Sequence, residues 1–274
     1  MDTTIEMLVE QAKEGDKDAL EEVIRKIQDR VYGLAIRMLY YPADAEDATQ
    51  EILVKIVTHL DSFRGESAFT SWIYRIASNH LLTTQKCHVE NIVTTFANFE
   101  EIMDKELSES SPATTSEPEQ SLVIQEIMIS CTMGMLICLD RNLRIAYILG
   151  AISGIKSDNA SYILNITPAA FRKRLSRART LLKDFMQKRC GLVNPDNPCR
   201  CHLYINQVVN TQGEDSKSLM FSGHPCLGRK ETITPEQLQE LKELQRIAVI
   251  FRSHPEYAAP ESLVEKFRLF GEQQ

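Results

Sequence analysis

A chain of 274 residues suggests two or three domains rather than one, since single domains mostly run to about 100–200 residues. Its 43% hydrophobic and 25% charged residues are ordinary for a folded globular protein and exclude a wholly disordered or fibrous chain. The net charge of -7, from 31 basic and 38 acidic residues, argues against a uniformly basic nucleic-acid binder, so any such surface must be local.

Seven scattered cysteines form no short secreted framework, and Met1 to Glu6 lack the basic start and apolar run of a leader peptide. The most apolar stretch, Val123 to Leu139, is interrupted by Gln125 and Glu126 and is too short to span a bilayer. The expectation is a cytoplasmic protein with no membrane insertion.

In chain order, residues 1–90 read as one helical domain. Leu20, Val23, Ile24, Ile27, Val31, Leu34 and Met38 recur at helical spacing. Pro42 can open the next helix, because its missing N–H costs nothing in a first turn. That helix places Ala48, Ile52, Ile56 and Leu60 on one face and Asp47, Glu51 and Lys55 on another. The loop Asp61 to Glu66 comes next, with Ser67 as N-cap. The helix after it buries Phe69, Trp72, Ile73, Ile76 and Ala77, and offers Ser71, Arg75, Ser78 and Asn79 on its other face.

Residues 91–120 read as a flexible acidic linker. Glu100, Glu101, Asp104, Glu106, Glu109, Glu117 and Glu119, with Pro112 and Pro118, leave too little apolar surface to hold a fold. Residues 121–189 are helical again, with Ile124, Ile127, Met128, Cys131 and Met135 on a stripe and Asp140 capping a helix that ends near Gly150. Ser157 can cap a short helix carrying Ala160, Ile163 and Leu164, and Thr167 with Pro168 starts another after a tight break. This is a helix-turn-helix pattern.

The second of these helices buries Phe171, Leu175, Ala178 and Leu182. Arg172, Lys173, Arg174, Arg177, Arg179 and Lys183 occupy the rest, with no acid before Asp184. Duplex DNA rewards that arrangement, because basic side chains displace counterions condensed on the phosphates. Thr167, Ala169, Arg172 and Lys173 lie at the end of the helix that enters the major groove in such motifs. The plain alternative is a solvated basic face on a bundle helix.

Residues 190–274 form a small, partly irregular tail. Cys190, Cys199, Cys201 and Cys226, with His202 and His224, are candidate zinc ligands, although no paired Cys-x-x-Cys spacing is present. Free cytosolic thiols or a redox-sensitive cluster are the alternatives. A helix from Pro235 to about Phe251 carries Leu238, Leu241, Leu244, Ile247 and Ile250 at helical spacing. No general base, nucleophile pair or phosphate loop stands out, so no catalysis and no required cofactor are expected.

Two stretches carry a family resemblance. Asp44 through Glu51, Phe63 through Ser67 and Phe69 through Ala77 resemble region two of bacterial sigma factors. Ser157 through Leu182 resembles their C-terminal DNA-binding region. With no middle domain between, residues 10–190 resemble the extracytoplasmic-function subfamily. The resemblance implies an all-α fold and promoter-directed transcription initiation, with core RNA polymerase, promoter DNA and an anti-sigma factor as partners.

It also implies residue roles. Asp44, Asp47, Gln50 and Glu51 would meet the polymerase clamp. Phe63, Arg64 and Ser67 would hold an extruded base of the minus-ten element, while Trp72, Arg75 and Asn79 help part the duplex. Thr167, Ala169, Arg172, Lys173, Arg174, Arg177 and Arg179 would bind the minus-thirty-five element. Trp72 shares a stripe with Phe69 and Ile76, so a core role is expected, with one edge at most reaching DNA. Asn165 stands where the family often has glycine, and asparagine tolerates the left-handed turn. A helix-turn-helix regulator acting without polymerase is the competing reading, and a thiol- or metal-dependent enzyme in the tail is a more distant one. The tail exceeds a minimal factor of this subfamily and is expected to restrain or regulate the two DNA-binding domains.

Overall fold

Helix α2, Lys17–Leu39, is the organising element of the N-terminal half in the computed structural model, which describes residues 3–85, 88–92, 95–108, 117–212, 219–224, 226–228 and 243–260. Asp16 caps it by accepting from the Asp18 and Ala19 backbone N–H groups. Its apolar stripe packs on α1 (Thr3–Lys13), α3 (Pro42–Thr58) and α4 (Phe69–Thr83). Pro42 opens α3 as expected, whereas Leu60 lies beyond its end in a short 3-10 turn, Leu60–Ser62, and is still buried.

Two local expectations are corrected here. Ala68, not Ser67, is the N-cap of α4, and no side chain caps that end. Ser78, placed by periodicity on the outer face of α4, is fully buried, because α4 is covered on two sides rather than one.

The acidic segment also departs from a wholly flexible tether. After α5 (His88–Ile92), residues Phe96–Ser108 form helix α6. Phe99 and Met103 of α6 are buried, and the Phe99 ring lies 5.8 Å from that of Phe185. Glu100 and Asp104 pair with Arg189 instead of merely repelling one another. Residues 109–116 lie outside the described residues.

Helix α7, Glu117–Ile137, is buried on nearly every side from Val123 to Ile137, more completely than a single stripe implies. Such a helix needs neighbours all round, and it takes them from both halves of the chain and from the tail. Asp140 then caps α8 (Arg141–Tyr147) through the Leu143 N–H at 3.0 Å, and a π-helical turn, Ile148–Ile152, comes after it. That turn is pressed closely against Leu175: a Cβ on Gly150 would sit 2.7 Å from the leucine side chain.

A buried charge cluster joins the two halves. Glu90 of α5 accepts from Arg141 at 2.6 Å and Arg144 at 2.9 Å. Arg144, 2% exposed, also donates to the carbonyls of Met38, Leu136, Ile137 and Leu139. Arg141 reaches the carbonyls of Leu81, Thr84 and Gln85 at the end of α4. A paired, saturated charge of this kind is tolerated inside, where an unpaired one is not.

The tail is more ordered than expected among its described residues. It includes a 3-10 turn (Cys201–Tyr204), α11 (Ile205–Gln212), α12 (Glu243–Arg252) and a short two-stranded pairing of β1 (Cys226–Gly228) with β2 (Glu256–Tyr257), antiparallel with Cys226 opposite Tyr257. Ile247 and Ile250 are buried as the spacing predicts, while Leu238 and Leu241 lie outside the described residues. The backbone N–H groups of Phe221 and Ser222 donate to the buried Glu126 carboxylate of α7, at 3.0 and 2.7 Å. Elsewhere Ala259 N–H donates to Asp29 of α2, and Arg252 donates to the Ala151 carbonyl, each at 2.7 Å. The tail therefore staples the first helical unit to the second. No helix among the described residues is long and apolar enough to cross a membrane.

Candidate nucleic-acid interface

Helices α9 (Ser157–Leu164) and α10 (Pro168–Arg189) form the expected helix-turn-helix. Lys156 rather than Ser157 stands at the α9 N-cap, without a side-chain bond. Asn165 terminates α9 at φ 52° and ψ 47°, the left-handed conformation it tolerates better than most residues. Thr167 caps α10 by accepting from Ala170 N–H at 3.1 Å, with Pro168 in the first turn.

Phe171, Leu175, Ala178 and Leu182 are buried, which rotates the basic residues outward. Thr167, Ala169, Arg172, Lys173, Arg177 and Arg179 are exposed, and Arg174 is half-buried. The helix thus offers one open, strongly positive face.

The second surface is a groove of about 700 Å³ between α3, the loop after it, α4 and α9. Phe63, Arg64, Ser67, Trp72, Arg75 and Asn79 all line it, so the fold brings all six sequence candidates together. Phe63 is only 5% exposed. Its ring packs on Phe69 at 5.1 Å and Trp72 at 5.6 Å, and its carbonyl accepts from Lys13 at 2.7 Å. Phe63 is therefore a fixed wall of the groove, while Arg64 and Asn79 are free of burial. Trp72 is half-buried and stacked on Phe69 at 5.7 Å, which matches the core role with one edge showing.

Lys55, His80 and Tyr162 also line the groove, and sequence reasoning did not single them out for it. Lys55 was legible as part of the polar face of α3; His80 and Tyr162 gave no local signal. Tyr162 reaches in from the helix-turn-helix. Its hydroxyl lies 3.2 Å from Ser67 Oγ, and the Arg75 guanidinium lies over its ring at 5.0 Å. Lys55 Nζ stands 2.6 Å from His80 Nδ1, and His80 Nε2 is 3.7 Å from Glu51. Burial, then the Lys55 ammonium, holds the His80 pKa below its ordinary value, with Glu51 opposing.

On the outer side of α3, Asp47, Gln50 and Glu51 share a shallow depression with Val54 and Lys55. Asp47 and Glu51 are exposed, Gln50 and Asp44 half-buried, and Asp44 lies outside the depression. Among the described residues nothing covers the two exposed carboxylates, as a docking face requires.

The cysteine candidates divide. Cys190 and Cys199 pair through a backbone bridge, with Cys201 two residues on. Their thiols interact electrostatically with Cys131 of α7, and burial raises all four, Cys201 to about 12. Cys226 is elsewhere, opposite Tyr257, and the His224 ring stacks on Tyr32 at 5.1 Å. The four sequence candidates are thus not one cluster, and no group of three or more His, Cys, Asp or Glu side chains among the described residues is placed to hold a metal ion. Cys87 lies outside the described residues.

The Sigma-70 region 2 family matches residues 23–86. The RNA polymerase sigma-H factor of Pseudomonas aeruginosa is 30% identical over 189 residues, covering 66% of this chain and 93% of that one. The ECF RNA polymerase sigma-E factor of Escherichia coli is 30% identical over 187 residues, covering 67% and 95%. A solved structure of the sigma factor RpoE with the anti-sigma factor NepR from Bartonella quintana is 22% identical, covers 61% of this chain and 95% of that one, and has a TM-score of 0.40.

Proposed function

Because the chain belongs to the extracytoplasmic-function sigma factors of the sigma-70 family, we propose that its three surfaces divide the work of promoter recognition. The Asp47, Gln50 and Glu51 face of α3 docks on core RNA polymerase in the cytoplasm. The α10 face holds the minus-thirty-five duplex through Arg172, Lys173, Arg177 and Arg179. The groove lined by Arg64, Trp72, Arg75 and Asn79 takes the minus-ten strand once it is separated.

The observation that carries this is the adjacency of two of the surfaces. The face bearing the exposed carboxylates and the groove meet at Lys55 of one helix, so docking on polymerase presents the groove to DNA beside it. A helix-turn-helix regulator acting alone has no use for that pairing. Strand separation in this scheme needs no bond chemistry. Unstacking costs a few kcal/mol per base, and pocket contacts to an extruded base offset it. Stacking and a positive groove then retain the single strand. The protein itself catalyses nothing.

Tyr162 adds a steric condition. A strand cannot occupy the groove while α9 lies across it, so the arrangement of α4 against α9 is a resting form that must open on promoter binding. The tail bonds that join α2, α7 and the turn before α9 hold that form closed.

The test is run-off transcription on a promoter library with core polymerase. Promoter-specific transcripts should appear with the chain and fade with an Asp47→Ala/Glu51→Ala variant. A chain ending near Arg189 should initiate more readily than the full chain. Tight promoter footprints without polymerase, and no transcripts with it, would replace this reading by that of an autonomous regulator.

A further inference from the structure

We propose that Lys55 contacts the sugar-phosphate backbone of the separated minus-ten strand and that His80 is the positioning residue that aims it, an assignment that rests on the sigma reading of the groove. Lys55 is exposed on α3 and borders both depressions, the groove shared with Arg64, Arg75 and Asn79 and the outer face shared with Asp47 and Glu51. It stands where the polymerase face ends and the groove begins.

The usual fate of a lysine one turn after a glutamate is a surface ion pair with it. Here no carboxylate among the described residues lies within salt-bridge distance of Lys55, and Glu51 approaches His80 Nε2 instead. An ammonium can only donate, so the 2.6 Å contact makes His80 Nδ1 the acceptor and puts the ring proton on Nε2. Glu51, at 3.7 Å, faces that proton.

His80 is 8% exposed, so its ring cannot swing freely. It therefore fixes the end of a side chain that would otherwise sample many rotamers, and the order is established before DNA arrives. One ammonium hydrogen is spent on the ring and two remain for an acceptor in the groove. Arg75, the neighbouring cation, has its guanidinium stacked on Tyr162, whereas the Lys55 ammonium has no ring over it among the described residues. Once α9 has moved off the groove, an anionic strand meets Lys55 with no carboxylate among the described residues to displace from it.

Salt dependence tests this directly, since each phosphate neutralised in a single strand contributes about -0.7 to the slope of log affinity against log salt. The protein is assembled with core polymerase, and binding is measured to a premelted promoter fragment recovered from the run-off library, between 50 and 200 mM salt. Lys55→Gln should flatten the slope by about 0.7, so that the wild-type advantage shrinks about 2.6-fold across that range. Lys55→Arg should keep the wild-type slope. His80→Leu should flatten it as Lys55→Gln does, and His80→Asn, which restores an acceptor near the Nδ1 position, should recover it. A duplex carrying only the minus-thirty-five element should bind all four variants with the wild-type slope, and thermal melts identify any variant that fails to fold.

An unchanged slope for a folded Lys55→Gln holoenzyme overturns the phosphate contact. Flattening with Lys55→Gln but not with His80→Leu overturns the positioning role of His80. Absence of polymerase-dependent binding by the wild type defeats the sigma reading itself, and is recognisable because it needs no variant.

Discussion

The basic face of α10 and the groove against α4 are both proposed to bind promoter DNA, yet they are built in opposite ways. The α10 surface belongs to one helix, starts at its own cap and stands open to solvent. The groove has walls from α3, a loop, α4 and α9, and Tyr162 lies across it. A surface on a single helix persists wherever that helix goes. A groove shared among elements depends on how the elements pack, so it can be opened, closed or lost without altering any one of them. The readily available surface is suited to first contact, and the covered one to a step that comes after rearrangement.

The widest separation between the two surfaces should come from the buried charge cluster. Arg144→Ala leaves Glu90 buried with one guanidinium fewer, and breaking a buried pair costs about 3–5 kcal/mol. Urea unfolding should show a loss of unfolding free energy of that size, with loss of the groove while the α9-α10 surface still binds duplex. A shift under about 1 kcal/mol would mean that the halves are not joined through this cluster.

On the open face, Arg172→Ala should weaken binding to the minus-thirty-five duplex by about 1–3 kcal/mol if it reads a base, and relax preference at one position. Arg177→Ala should act equally on all sequences and reduce the salt slope by about one. Neither should move the melting temperature, because both side chains are exposed.

Tyr162→Ala addresses the cover. It removes an exposed cation-π contact worth about 0.5–1 kcal/mol and a hydrogen bond worth about 1 kcal/mol. The free chain should then bind a single-stranded minus-ten oligonucleotide roughly tenfold more tightly, since about 1.4 kcal/mol is one decade. Unchanged or weaker binding, measured by fluorescence anisotropy, would show that Tyr162 is not a lid.

The smallest effect is acid sensitivity within the groove. His80 is held neutral, its pKa depressed from 6.5 by burial and by Lys55. A depressed value means that this stability is complete above the unfolded value near 6.5 and is lost as pH falls through the lower folded value. Groove binding should decline over the same window, as a protonated ring can no longer accept from Lys55. His80→Asn should flatten the decline, which a pH series of melts and binding curves would reveal.

Much of this was legible in the residues. The stripe from Val23 to Met38, Pro42 at a helix start, the Asp140 and Thr167 caps and the turn at Asn165 are each settled within one or two turns of chain. Ser67 and Ser157 misled as caps because any serine before a helical run satisfies that pattern, and only backbone placement decides which residue precedes the first turn. The acidic segment misled because composition counts charges without their partners: Arg189, 85 residues beyond Asp104, turns part of it into a packed helix.

The sequence by itself determined the all-α class, the helix-turn-helix, the outward basic face of α10 and the polar face of α3, because helical periodicity and caps act over neighbouring residues. Only the tertiary structure decided that α7 is enclosed on nearly every side, that Cys131 rather than Cys226 neighbours the other thiols, and that the tail joins both halves. It alone aimed Lys55 with His80 and laid Tyr162 over the groove. Those pairs are 25 or more residues apart, and their meeting is fixed by how whole helices bury their apolar faces against each other, which no local pattern encodes.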